Sequence, residues 1–323
     1  MNRFVVFAVA TLLADFPILQ PAAAETWPDQ PIHIIVPFTP GSATDVVARI
    51  VAAAMSQSLG QPVIVDNRAG AGGTIGAGQV ARARPGGYTF LANSSAHTVN
   101  PAIYPALNFD TRADLRAITL LAQQPNILVS APSKGWRSTA DYVKAARAEP
   151  GKLTYATAGT GSGTHMNAEK FRLSAQIGTV HVPYRGTPEA LRDTMSGLTD
   201  ICFCPIVAAL PLIRDGRLVA LANGGPRRSS VLPDLPTTEE QGFADSSYTF
   251  WVGLFAPSDT PWLVIEQLNA EARKALDLPE VRERLQALGA DPLPTTPQEL
   301  ERLVAHEIKE NIELVRKADI RLQ

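Results

Sequence analysis

The chain has 323 residues, which at about 150 per domain is enough for roughly two domains with a buried core. Apolar residues make up 45% and charged residues 19%, a balance that excludes a disordered chain. Lys and Arg number 29 against 31 Asp and Glu, so the chain lacks the basic excess of a nucleic-acid or polybasic membrane binder.

Residues 1–24 read as a secretory signal peptide. Arg3 gives the positive start, Phe4 to Ala14 an apolar run, and Ala22-Ala23-Ala24 a cleavage pattern before Glu25. The run is far shorter than the roughly 20 residues a membrane span needs. From Ile32 onward apolar runs alternate with helical periodicity, the pattern of an α/β protein. Strand 32–36 is stopped by Pro37, and helix 44–59 carries Val47, Ile50, Val51, Ala54 and Met55 on one face before Gly60 ends it. Next come strand 63–65, a Gly-rich turn, helix 74–83, strand 88–92, and two separate strands at 116–122 and 127–131.

A second set starts after Pro132: helix 139–148, strand 153–156, helix 165–175, strand 179–182 and helix 188–196. A strand containing Cys202 and Cys204, helix 207–214 and strand 218–222 complete it. After a Pro-rich loop comes the apolar run 250–255, then helices 262–276, 281–288 and 297–318. The organisation expected is a signal peptide (1–24), a first lobe from residues 25–123 and 248–323, and a second lobe from 124–247. Cys202 and Cys204 share one face of their strand. An extended backbone sets such sulfurs poorly for bridging, so buried thiols are expected and a redox-sensitive pair is the alternative.

Catalytic signatures fail one after another. No serine sits in G-x-S-x-G, His306-Glu307-Ile308-Lys309-Glu310 lacks the second histidine of a zinc-protease helix, and the five histidines are scattered. Two cysteines without clustered histidine make no zinc site, so neither a metal nor a cofactor is expected. One device occurs twice. Strand 32–36 runs into Pro37-Phe38-Thr39-Pro40-Gly41-Ser42-Ala43-Thr44-Asp45 and a helix, and strand 153–156 runs into Thr157-Ala158-Gly159-Thr160-Gly161-Ser162-Gly163-Thr164-His165 and a helix. Each junction offers free N–H groups, close backbone approach and hydroxyls, a cradle for an anion without any ionised side chain. Thr44 or Thr164 could equally serve as plain N-caps. The polar stretch Asn93-Ser94-Ser95-Ala96-His97-Thr98 reads as a third loop beside the same cleft, and Asn67 to Gly73 as a structural turn.

The chain resembles the extracytoplasmic solute-binding receptors of tripartite tricarboxylate transporters, the Bug family. The residues that carry the likeness are Trp27-Pro28, Pro37-Phe38-x-Pro40-Gly41-x-x-x-Asp45, Val65-Asp66-Asn67-Arg68, Gly70-x-Gly72-Gly73-x-x-Gly76 and Pro85-x-Gly87-Tyr88. It continues through Asn100-Pro101-x-x-Tyr104, Gly159-x-Gly161-x-x-x-His165, Val182-Pro183-Tyr184-Arg185-Gly186 and Leu232-Pro233-Asp234-x-Pro236-Thr237. The resemblance implies a two-lobed periplasmic binding protein fold of type II, with the ligand cleft between lobes. It also implies a monomer that is not an enzyme and that passes a small carboxylate to membrane transporter subunits. Carried over residue by residue, it assigns ligand binding to Phe38, Thr39, Ser42, Ala43, Asp45, Thr160, Gly161, Ser162 and Thr164, with Ser94, Ser95 and Thr98 in the intervening loop. Ser42 stands where the family usually has a second glycine, and Cys204-Pro205 where Asp-Asn is common. The second departure favours a plain carboxylate over an amino acid. Two further readings compete: a ligand-binder signalling to a membrane sensor, and a periplasmic enzyme using His97 or His165 as base.

Overall fold

In the computed structural model, which describes residues 27–321, strands and helices alternate along most of the chain. The expected signal segment lies outside the described residues. The first run is β1 (Ile32–Val36), α1 (Ala43–Leu59), β2 (Val63–Asn67), α2 (Thr74–Ala81), β3 (Thr89–Ser94) and α3 (Ala96–Ile103). A long β4 (Leu115–Ser130) leads into α4 (Thr139–Ala148), β5 (Thr154–Thr157), α5 (Gly163–Ala175), β6 (Val180–Pro183), α6 (Thr187–Met195), β7 (Ile201–Pro205), α7 (Ile206–Arg214) and β8 (Val219–Asn223). The chain then returns through β9 (Thr249–Pro257), α8 (Trp262–Asp277), α9 (Pro279–Ala287), β10 (Asp291–Pro292) and α10 (Pro297–Lys317).

The sheet runs β2-β1-β3-β9-β4-β7-β5-β6, with β8 and β10 also paired to β4. The two strands expected at 116–122 and 127–131 are one, which corrects the sequence reading. Residues 115–125 of β4 pair antiparallel with β9, and from Asn126 the ladder passes to β7 and β8. Pro125, which has no N–H to give, sits where the partner changes, opposite Thr249 at the start of β9. The lobe boundary expected at 123/124 therefore falls inside a continuous strand.

Each half of the sheet is covered on both faces, as parallel strands require. In the first half α1, α8 and α9 pack Val47, Val51, Met55, Ile265, Leu268 and Leu285 on one face, and α2 and α10 pack Ala77, Val80, Leu300 and Val304 on the other. In the second, α4 and α5 cover Leu128, Tyr155 and Phe203, while α6 and α7 cover Ile127, Val129 and both cysteines. The cysteine expectation is overturned: Cys202 and Cys204 are joined as a disulfide, their Cα atoms 5.5 Å apart and so within bridging reach. The polar stretch 93–98 is not a loop either. Asn93 and Ser94 finish β3, and Ser95 precedes α3, whose short apolar face of Val99 and Ile103 hides among polar neighbours in sequence.

Helix α10 docks through a buried carboxylate. Glu307 accepts hydrogen bonds from Trp251 Nε1 on β9 at 3.0 Å and from Thr98 Oγ1 on α3 at 3.0 Å. Burial outweighs those bonds and pushes its pKa up from 4.5 to about 7. The fold thus prefers the protonated form, and its stability contribution declines as pH rises from about 4.5 through 7. A Glu307→Gln variant keeps the size and polarity without titrating. Its melting temperature relative to the native chain is expected to climb between pH 4.5 and 8; a pH-independent offset would show that Glu307 does not carry this linkage.

Candidate functional site

The loop between β1 and α1 is braced from below. Asp45 accepts Gly41 N–H at 2.9 Å, Arg49 Nε at 2.9 Å and Asn67 Nδ2 at 2.9 Å. Burial opposes its ionisation, but the bonds from Arg49, Gly41 and Asn67 prevail and hold its carboxyl below the usual range. Asn67 also donates to Phe38 O. Ser42, with an extended backbone, is the true N-cap of α1, accepting Asp45 N–H through its hydroxyl. The N–H groups of Ala43 and Thr44 follow, where helical geometry provides no intrahelical acceptor.

The loop between β5 and α5 repeats the arrangement with different braces. Ser162 caps α5 by accepting His165 N–H, and its own hydroxyl donates to Gly159 O at 2.7 Å. Thr164 Oγ1 accepts Ala158 N–H at 2.8 Å, so the loop closes on itself. The caps are thus the serines, not Thr44 and Thr164. Gly161 N–H donates to His165 Nδ1 at 3.2 Å, a bond that needs an unprotonated ring nitrogen. Burial first, then the charge of Arg172, lowers the His165 pKa to about 3 and keeps it neutral. Its ring stacks on His181 with centroids 4.0 Å apart.

These two loops face each other. Phe38, Ser42, Ala43 and Thr44 from the first, Ala158, Ser162 and Thr164 from the second, Ser94 at the end of β3, Thr187 at the start of α6 and Phe250 on β9 line one crevice of about 10 Å³. Three helix starts, those of α1, α5 and α6, therefore meet at one point. None of the ten lining side chains is charged, so the positive field there comes from peptide dipoles.

Of the twelve residues expected from the sequence, Phe38, Ser42, Ala43, Ser94, Ser162 and Thr164 line this crevice. The other six lie around it. Thr39 Oγ1 donates to Glu189 Oε2 at 3.0 Å, and Thr160 O accepts Tyr104 O–H at 2.9 Å; both bonds join the two halves of the sheet. Asp45 and Gly161 brace their loops. Ser95 is buried with its hydroxyl beside Gly163 and unpaired, and Thr98 meets Glu307 and Asn311 of α10. Sequence reasoning missed Thr44 and Ala158 as walls, Thr187 and Phe250. The helix after Gly186 could have revealed Thr187, since Pro188 marks its first turn. Phe250 carries no local signal, because its strand reads only as apolar.

Glycines permit the closest contacts between the halves. Gly72, at φ +59°, lies so near Thr160 O that a Cβ would collide with that carbonyl. At Gly186 a Cβ would strike the Thr39 hydroxyl. Neither histidine proposed as a base lines the crevice: His97 is 1% exposed and packed on Phe255, and His165 is committed to Gly161. A hollow of about 770 Å³ between α5 and α10 carries Asp245, Glu307, Glu310 and Glu313 against Lys170 and Lys317, a poor setting for an anion.

An α/β sheet in two covered halves, with paired βα loops closing on one crevice, defines a two-lobed periplasmic binding protein of type II. The chain belongs to the tripartite tricarboxylate transporter receptor family, whose model matches residues 47–320. It is similar to protein BugT of Bordetella pertussis (strain Tohama I), with 34% identity over 317 residues, 98% of this chain and 97% of that one. Among solved structures, Rhodopseudomonas palustris Rpa4515 with adipate superposes with a TM-score of 0.88 at 31% identity, covering 91% of this chain and 99% of the other. MatC (Rpa3494) from the same organism, with bound malate, superposes with a TM-score of 0.85 at 33% identity, covering 90% and 100%. No helix among the described residues is long and apolar enough to cross a membrane.

The neutral His165 has a measurable consequence. A base whose pKa falls from 6.5 to about 3 on folding adds stability above pH 6.5 that is lost as pH drops toward 3. His165→Asn offers an acceptor that does not titrate, so its melting curve should fall less steeply than the native one between pH 6.5 and 4. Parallel slopes would remove His165 from the linkage.

Proposed function

We propose that the crevice holds the carboxylate groups of a small organic acid between the two halves, and that these act as lobes, 25–123 with 248–323 and 124–247, which part to admit the ligand and close upon it. The convergence of three helix starts in an uncharged crevice carries this reading. Backbone N–H groups and the hydroxyls of Ser42, Thr44, Ser94 and Thr187 supply donors, while the Ser162 and Thr164 hydroxyls are spent holding the second loop in shape. Charge-assisted bonds of this kind contribute roughly 1.5–3 kcal/mol each, so a few suffice for micromolar affinity after association costs. Phe38 and Phe250 provide apolar walls for the carbon skeleton. With no acidic side chain among the lining residues, an ammonium group finds no counter-ion, which supports a plain mono- or dicarboxylate over an amino acid. Relatives solved with adipate and with malate are consistent with that class.

The crevice as it stands is smaller than a four- to six-carbon diacid, so the lobes must part for the ligand to enter. The protein then returns the acid unchanged to the membrane subunits of its transporter, outside the cytoplasm. Family membership supports that delivery step.

Calorimetric titration of ligand-stripped protein with a panel of carboxylates, adipate and malate included, should find saturable binding near micromolar Kd, about −8 kcal/mol. Thr187→Val, which keeps the shape and removes the hydroxyl, should weaken it about tenfold through one lost donor. A panel that gives no heat, or products in place of returned ligand, would overturn the reading. Gly186→Ala tests closure separately. Gly186 has an extended backbone at φ −171°, which alanine adopts freely, so the variant should fold with Thr39 displaced from its present contact. The collision with Thr39 should nevertheless leave the ligand-saturated protein with a larger radius of gyration by X-ray scattering than the native complex. Equal radii would show that Gly186 is not a closure contact.

A further inference from the structure

We propose that the hollow behind the crossing strands is a second binding site, taking a small amphipathic carboxylate with a flat apolar body. The hollow measures about 450 Å³, within the roughly 300–1,000 Å³ usual for small-molecule sites. It straddles the place where β4 changes partner: Gln124 and Pro125 form its floor, with Thr249 opposite. The loop after β8 provides one wall and β10 the other.

The wall chemistry selects the ligand. Pro125, Pro226 and Pro233 present flat aliphatic rings suited to a planar apolar group. Arg227 reaches across from the loop after β8 to Asp291 on β10, with Nη2 and Oδ2 3.3 Å apart. That pair uses one of five guanidinium donors, so a fork remains for an incoming carboxylate, with the Ser229 hydroxyl on the same loop. Asp291 disfavours a second negative charge in the hollow, which argues for a monocarboxylate.

Gln124 adds an independent observation. It is 3% exposed, and its Oε1 accepts Val207 N–H at 3.1 Å, which fixes the orientation of the amide. Its Nε2 is left buried without an acceptor. Buried donors are rarely left unpaired in folded proteins; this one is sealed beneath the lining of the hollow and makes the Gln124 amide a reporter of an occupant there. Because the walls come from both sides of the crossing point, an occupant also resists change in the angle between the halves.

Benzoate, a planar monocarboxylate, is the probe. In NMR titration of the isotope-labelled full chain, benzoate should shift the Gln124 side-chain amide and Arg227 resonances saturably. Arg227→Ala, a change at an exposed position that leaves folding intact, should weaken that binding about tenfold, with Arg227→Lys intermediate. Shifts confined to the crevice around Phe38 and Ser162, an absence of saturable shifts, or an Arg227→Ala affinity equal to the native one would each overturn the proposal.

Discussion

Every helix begins with N–H groups that its own backbone cannot satisfy, and the architecture aims three such beginnings at one place. β1, β5 and β6 run parallel to their neighbours, so α1, α5 and α6 all start from the carboxyl ends of their strands. Because β4 serves β9 along one stretch and β7 with β8 along the next, the two groups of strands are built on one shared rod. The rod sets the loops face to face. The bonds from Thr39 to Glu189 and from Tyr104 to Thr160 are what that placement makes possible.

Much of this is legible in the sequence alone. The α/β alternation, most of the helices and the duplicated strand-loop-helix device follow from periodicity and from Gly, Ser and Thr at the junctions, and six of the crevice residues follow from the device and the family likeness. What was hidden depends on contacts distant in sequence. Pro125 looks like a strand terminator, yet the strand continues through it because the ladder changes partner there. Ser94 to Thr98 look like a polar loop because the groups that satisfy Thr98 lie more than 200 residues later, on α10. The same separation concealed the Phe250 wall. A polar side chain at the right junction need not face the ligand: Asp45 is spent bracing its loop, held by Arg49 one turn along the same helix and by Asn67 at the end of β2.

The cysteine strand shows the limit of local reasoning from the other side. Ideal extended geometry holds alternate sulfurs apart, and β7 departs from it enough to bring the Cα atoms to 5.5 Å. Both sulfurs face α6 and α7 in a fully apolar setting, away from the crevice lining. The linkage belongs to the packing of the second half and leaves the cradle to serines, threonines and peptide groups.

A cradle assembled from main-chain dipoles has no protonation state to lose. Lysines or arginines at the mouth would gather mobile counter-ions and lose their pull as salinity rose. Amides walled in by Phe38 and Phe250 keep their partial charges, so the character of the cradle does not hang on the titration of any lining side chain.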